Sequence, residues 1–289
     1  MKNVEYFAPG TLKEALQLLG KHGKGMAVLA GGTDLVRNMN LEYAYPASFM
    51  WIGHLGLEYV KNVDGVIHIG AATRMQTAGA SKLLQSKAAA LAEAAGKMAS
   101  VPVRSLATLG GNICNASPAG DAICAMLGLG AQVLLKSTRG QRLVPLDKFF
   151  TGPGKTVRKP DELLIEILIK PTAKNEGSAY AKVGRRQALT LAVLNAASRV
   201  KRDSKGNCAE VTIAVGAAAP TPLRAVKAEA ALRGKPLSEA AIRAAAEIAV
   251  TEIKPIDDVH GTAWYRRKLT KALVARTLRR AGGLPEGEG

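Results

Sequence analysis

The chain of 289 residues is 47% hydrophobic and carries 40 Lys and Arg against 23 Asp and Glu, a formal charge of +17. That apolar content suffices for one large core or two to three smaller ones, and excludes a disordered or fibrous chain. No apolar run reaches the roughly 18 to 20 residues that cross a bilayer, and "MKNVEYFAPG" has no charged stretch leading into an apolar one, so the expectation is a cytoplasmic protein without a membrane span.

A charge this positive raises nucleic acid as a partner, but only 4% of residues are aromatic and no Arg- and aromatic-rich motif supplies a stacking platform. The expectation is no nucleic acid, and a basic surface that is either solvated or a docking face for acidic partner subunits. Cys114, Cys124 and Cys208 form no C-x-x-C pair and cannot supply the four thiolates that an iron–sulfur cluster takes. His22, His54, His68 and His260 make no metal-binding pattern, so no metal site is expected.

In chain order, Thr11 and Glu14 form a capping box ahead of a stripe of Leu12, Ala15, Leu16 and Leu19, which predicts a helix ending near Gly20 to Gly23. "MAVLAGG" and "ASFMWIG" read as short buried strands. "EYVKNVDGVIHIGAAT" is two alternating runs joined at Asp64-Gly65, a hairpin signal. An Ala-rich segment, Ser81 to Met98, predicts one helix. "SVPVRSLATLGGNICNASPAGD" has neither period and reads as a long functional loop. A short helix ("AICAMLGLG"), a hairpin turning at Arg139-Gly140 and a buried strand ("DELLIEILI") follow. The polar "KNEGS" near Lys174 to Ser178 marks a boundary. Beyond it come two long strands around "DSKGN", then helices over Leu237 to Ile253 and Thr262 to Ala281, so the fold class is α+β. In the last helix Leu269 and Leu273 lie one turn apart among Lys and Arg, which predicts one buried stripe and a cationic outer face.

Two glycine-pair loops stand out: "AGGTD", Ala30 to Asp34, and "TLGGN", Thr108 to Asn112. Neither fits G-x-x-x-x-G-K-[ST] or G-x-G-x-x-G. Each can be a nest of backbone N–H groups for phosphate oxygens, or merely a tight turn.

Five segments occur in an order that resembles one family: "AGGTDLV", "ATLGGNICNASPAGD", "DELLIEI", "AYAKVGRRQALTLA" and "GAAAPTPLRAVKAEAALRGK". Together with "GTAWYRRKLTKALVARTLRRA" they look like the FAD-binding medium subunit of the molybdenum hydroxylases, the family of xanthine dehydrogenase and the aerobic carbon monoxide dehydrogenases. The resemblance implies two α/β subdomains, residues 1–57 and 58–175, forming an FAD-binding domain of the vanillyl-alcohol-oxidase (PCMH) type. A C-terminal domain of antiparallel sheet plus helices, residues 176–289, would follow.

It also implies a cofactor site. Leu29, Ala30, Gly31, Gly32, Thr33, Asp34 and Leu35 would surround the FAD diphosphate, and Thr108, Gly110, Gly111 and Asn112 would run along diphosphate and flavin. Asp121 would reach sugar hydroxyls, with an ionised carboxylate accepting two of them. Leu164 would lie against the isoalloxazine, and Lys182 would approach the flavin and favour its electron-rich state. Met98 falls where some relatives have an aromatic residue. Cys114, inside the second loop, reads as a small buried hydrophobe. No catalytic acid or base is implied. The partners would be a large molybdopterin subunit that hydroxylates substrate and a small subunit with 2Fe–2S clusters, in a dimer of heterotrimers, with electrons leaving the FAD for NAD or another acceptor. Carbon monoxide dehydrogenases tend to have His-Ser where this chain has Thr33-Asp34, which leans toward the xanthine dehydrogenase-like or aromatic-heterocycle branches. The alternatives are a self-contained flavin oxidase or reductase of the same FAD fold and a non-enzymatic flavin-binding module.

Overall fold

A computed structural model describes residues 4–43 and 45–285. Three main sheets follow one another along the chain, and a two-stranded ribbon accompanies the second. The first sheet is parallel, with β3 (Ser48–Trp51) between β1 (Glu5–Phe7) and β2 (Met26–Leu29). Strands that run parallel in one sheet need crossovers, and α1 (Leu12–His22) supplies the one from β1 to β2, on either side of β3. Thr11 caps it, its Oγ1 accepting the Glu14 N–H at 3.2 Å, while Glu14 reaches back to the Gly10 N–H rather than to Thr11 itself. Between β2 and β3 the chain makes the AGGTD turn and the short helix α2 (Leu35–Asn40).

The second sheet is antiparallel, in the order β4 (Val60–Val63), β5 (Val66–Gly70), β10 (Leu163–Ile169), β6 (Gln132–Ser137), β7 (Gly140–Pro145). Asp64 at φ 51° and Gly65 at φ 75° give the β4–β5 turn two left-handed residues, as a two-residue hairpin requires. β10 is buried on both sides: Leu163 and Ile165 join Leu16, Leu19 and Met50 in the core of the first unit, while Leu164, Ile167 and Ile169 face the helices of the second. β8 (Phe150–Gly152) and β9 (Lys155–Thr156) form the ribbon.

Two expectations fail in the segment between β5 and β6. The Ala-rich stretch from Ser81 to Met98 is not one helix: it holds α4 (Lys82–Lys87) and α5 (Ala89–Lys97), separated by Ala88 at φ −153°, and α3 (Met75–Ala80) lies just ahead of it. Helix propensity was uniform, but the chain has to turn to lay Ala90, Leu91, Ala94 and Ala95 on the core, and packing overrides propensity. The aperiodic stretch is not a loop either. It holds α6 (Val101–Leu106), capped by Ser100 with Pro102 in its first turn, and α7 (Leu109–Asn115), capped by Thr108. Each has under two full turns, too short to show a period. α8 (Asp121–Gly128) follows, buried throughout.

The third sheet is an antiparallel meander of β11 (Glu176–Gly184), β12 (Ala192–Arg202), β13 (Cys208–Gly216) and β14 (Leu223–Arg224). β12 is buried without interruption from Ala192 to Val200, because both faces are covered. Tyr180, Ala197 and Ala214 meet α5 and α8, and Leu194, Val200 and Ile213 meet α9 (Val226–Leu232), α10 (Glu239–Glu252) and α11 (Ala263–Ala281). In α11, Leu273 is buried and Leu269 packs on the core, while Arg267, Lys268, Lys271 and Arg276 are exposed. Among the described residues no helix is long and apolar enough to cross a membrane.

Candidate cofactor site

A cavity of about 670 Å³ lies where the three units meet. The first unit contributes the AGGTD turn, the second contributes the start of α7, the start of α8 and Leu164 of β10, and the third contributes the loop between β11 and β12.

Each glycine loop has a local reason for its glycines. A β carbon on Gly31 would lie 1.9 Å from the Leu106 carbonyl oxygen, because the turn passes directly against the end of α6. Gly32 has φ +71°, a left-handed conformation that glycine adopts without strain. In the second loop the Gly110 N–H donates to the Ala71 carbonyl at 2.8 Å, and a β carbon there would come within 2.6 Å of the same oxygen. The Gly111 N–H donates to Thr108 Oγ1 at 3.0 Å. Both glycine amides of the second loop are thus engaged within the protein. Among the described residues the N–H groups of Gly31, Gly32, Thr33 and Asp34 make no backbone hydrogen bond outside helices and strands. The first loop is the one that presents donors. Asp34 also sits at the α2 N-terminus without capping it. The residue as a whole is exposed, but partial desolvation of its carboxyl by the surrounding chain pushes the pKa up, against the pull of the Arg37 charge.

Asp121 opens α8 and is 5% exposed. Its Oδ1 accepts the Tyr180 hydroxyl at 2.6 Å and Asn195 Nδ2 at 3.2 Å, and its Oδ2 accepts Lys182 Nζ at 2.7 Å. Lys182 also donates to the Lys97 carbonyl at 3.0 Å. Burial raises the Tyr180 phenol well above its ordinary pKa, and the Asp121 charge adds to this, so the phenol stays a donor.

Of the residues singled out from the sequence, Ala30, Gly31, Gly32, Thr33, Asp34, Leu35, Thr108, Gly110, Gly111, Asn112, Asp121 and Leu164 all lie on the cavity wall. Leu29 and Lys182 do not: Leu29 lies under the turn, its Cδ1 close beneath Gly32, and Lys182 stands behind Asp121. Met98 and Cys114 are on the wall as well, together with Arg158, Arg186 and Leu191, which sequence reasoning passed over. It also passed over Tyr180 and Asn195. The signal for these two existed: Tyr180 and Lys182 alternate onto one face of β11, and Asn195 pairs directly across from Lys182.

Residues 2–172 match the FAD binding domain in molybdopterin dehydrogenase, and residues 178–281 match the CO dehydrogenase flavoprotein C-terminal domain. The chain belongs to this family: it is an FAD-binding medium subunit of the molybdenum hydroxylases. It is 36% identical over 243 residues to the nicotinate dehydrogenase FAD-subunit of Eubacterium barkeri, covering 82% of each chain. With the xanthine dehydrogenase FAD-binding subunit of Escherichia coli O157:H7 it shares 31% over 287 residues, covering 96% of this chain and 97% of that one. In structure it resembles a chain of the carbon monoxide dehydrogenase from Hydrogenophaga pseudoflava that lacks the Mo-pyranopterin moiety, with a TM-score of 0.93, 34% identity and 98% of each chain covered. The FAD expected from the sequence is therefore borne out as the cofactor of this medium subunit.

The residues fit that cofactor. Asn112 Oδ1 is buried on the cavity wall with no partner among the described residues, and a buried carbonyl oxygen left unpaired costs about 1–3 kcal/mol unless something bound there donates to it. The free amides of the first turn suit the phosphate oxygens of a dinucleotide.

Proposed function

We propose that this medium subunit relays electrons inside a heterotrimeric molybdenum hydroxylase. A small subunit delivers them from 2Fe–2S clusters, a large molybdopterin subunit hydroxylates the substrate, and NAD or another acceptor removes them. Bound FAD accepts electrons singly and releases them in pairs, and the protein orients it and tunes its potential. The observation that carries this reading is coverage: the chain spans 97% of a relative that is itself described as only the FAD-binding subunit of its dehydrogenase. The reading puts the two electron-transfer partners on separate chains, in a dimer of heterotrimers in the cytoplasm.

Within the chain, residues 1–57 and 58–175 are the two FAD-binding subdomains and 176–289 the C-terminal domain. The turn from Leu29 to Leu35 holds the diphosphate through its free amides, and Thr108, Gly110, Gly111 and Asn112 follow the cofactor toward the flavin. Leu164 supplies an apolar wall for the ring. Asp121 already accepts three protein donors out of about four lone-pair positions, so it takes a single sugar hydroxyl rather than two. Lys182 acts on the flavin from behind Asp121 and not by contact. Thr33-Asp34, together with 36% identity to a nicotinate dehydrogenase subunit, favours an aromatic heterocycle as the substrate of the large subunit.

The experiment is anaerobic reduction of the purified yellow chain, followed by flavin absorbance. Substrate should bleach the flavin only when both partner subunits are present. A chain that substrate reduces by itself is a self-contained oxidase, and one that purifies folded but colourless is no flavoprotein.

A further inference from the structure

Asp121 belongs to the FAD-binding part of the chain, yet every side chain that bonds its carboxylate comes from the C-terminal part. Tyr180 and Asn195 are both fully buried, so their polar atoms serve the interior rather than solvation. The Tyr180 ring fills core between Ala197, Ala214 and α8, a task that Phe could perform equally well. Its hydroxyl donates to Asp121 Oδ1, and a buried hydroxyl is unfavourable without such a bond. Asp121 is likewise a buried carboxylate among Ala122, Ile123 and Cys124, and a buried polar group is costly without hydrogen-bond donors to it.

The geometry points to Tyr180, with Asn195 and Lys182, as positioning residues of the cofactor site: they fix the Asp121 carboxylate and leave one acceptor position, on Oδ2, for a hydroxyl of the ligand in the cavity that Asp121 lines. The first two strands of the C-terminal domain thereby complete a site whose other walls belong to the FAD-binding domain. Lys97 and Glu93 tie the same strand back to α5, since Lys182 Nζ donates to the Lys97 carbonyl and the Tyr180 N–H donates to Glu93 Oε2 at 3.2 Å. Strand β11 is held on both sides of the carboxylate it orients. This inference rests on the proposal that Asp121 holds an FAD hydroxyl.

The test is a cycle of variants in the full chain, with the FAD dissociation constant read by fluorescence titration of the apoprotein and apoprotein melting measured alongside. Tyr180→Phe should weaken FAD binding roughly tenfold, the effect of one charge-assisted hydrogen bond. Asp121→Asn should weaken it too, and the double variant should bind no more weakly than Asp121→Asn alone. Wild-type affinity in Tyr180→Phe with lowered melting would make the hydroxyl a clamp between domains and overturn the inference, as would losses that simply add. Wild-type affinity in Asp121→Asn would instead overturn the reading of Asp121 as a cofactor contact. If Tyr180→Phe does not fold, Lys182→Met carries the same cycle: its effect should vanish in the Asp121→Asn background. An equal loss in both backgrounds would place Lys182 on the cofactor itself and reject the positioning role.

Discussion

The two glycine loops contain the same dipeptide and use it for different work. At TLGGN both amides are consumed inside the protein, by the Ala71 carbonyl and by Thr108 Oγ1, so the pair builds a joint between α7 and the exit of β5. At AGGTD, Gly31 is forced by the Leu106 carbonyl, but the amides from Gly31 to Asp34 have no backbone partners among the described residues and the turn borders the cavity. A glycine pair in a sequence says that β carbons are excluded; it does not say whether protein or ligand occupies the space. Here the structural joint and the ligand-facing turn line one and the same cavity.

Substitutions sharpen this comparison. The largest effect should come from Gly31→Ala, whose β carbon overlaps backbone that cannot yield locally: a stability loss of about 3–5 kcal/mol in chemical denaturation, with FAD lost as a consequence. Gly110→Ala meets the Ala71 carbonyl at 2.6 Å and should lose about 2–3 kcal/mol, with retained FAD binding in whatever fraction folds. A Gly110→Ala protein of normal stability that no longer binds FAD would break the distinction, since the missing β carbon would then serve the ligand and not the contact with the Ala71 carbonyl. Gly32→Ala is strained by its φ and touches only the ends of Leu29 and Val36, so about 1–2 kcal/mol is expected. Its FAD affinity should fall by more than its stability does, because the conformation of the donor turn is what changes. Gly111→Ala disturbs chiefly the Thr108 cap, about 1 kcal/mol, and because Gly111 lines the cavity along the proposed path of the cofactor it should weaken FAD binding slightly as well.

The limits of the sequence follow from the same physics. Hairpins at Asp64-Gly65 and around Asp203 were legible because turn residues and alternation are local, and the helices of the C-terminal third because they are long. The three-residue β1 was invisible, since a parallel strand so short has no period and its partner β3 lies over 40 residues away. α6 and α7 hid in an apparently aperiodic stretch for a related reason, although Ser100 and Thr108 announce their caps. The glycine loops were found by composition, whereas Tyr180 and Asn195 acquire meaning only once β11 and β12 are paired and laid on α8. Side chains that act on a carboxylate some 60 to 75 residues away leave no local trace.

The smallest effect concerns charge at the ligand-facing turn. Asp34 is an exposed residue whose carboxyl pKa is nevertheless raised by partial desolvation, and it stands in the turn proposed to take the anionic diphosphate. An anion bound nearby disfavours the ionised form further, so the bound state holds the proton more tightly than the free state does. By linkage, FAD binding then takes up protons in the range just above the ordinary carboxylate value, and affinity rises as pH falls through that range. The same sign holds for folding: a carboxyl raised by desolvation disfavours the folded state at neutral pH, and that disadvantage fades as it is protonated. Asp34→Asn removes both effects. Isothermal titration with FAD between pH 4 and 7 should show a slope in the wild-type chain and a flatter profile in Asp34→Asn, with affinity at neutral pH equal or slightly higher. The TLGGN loop has no ionisable group, so Asn112→Ala should shift the whole profile without changing its slope. If the slope survives in Asp34→Asn, the carboxylate points away from the phosphates, and the first turn holds the cofactor through its amides alone.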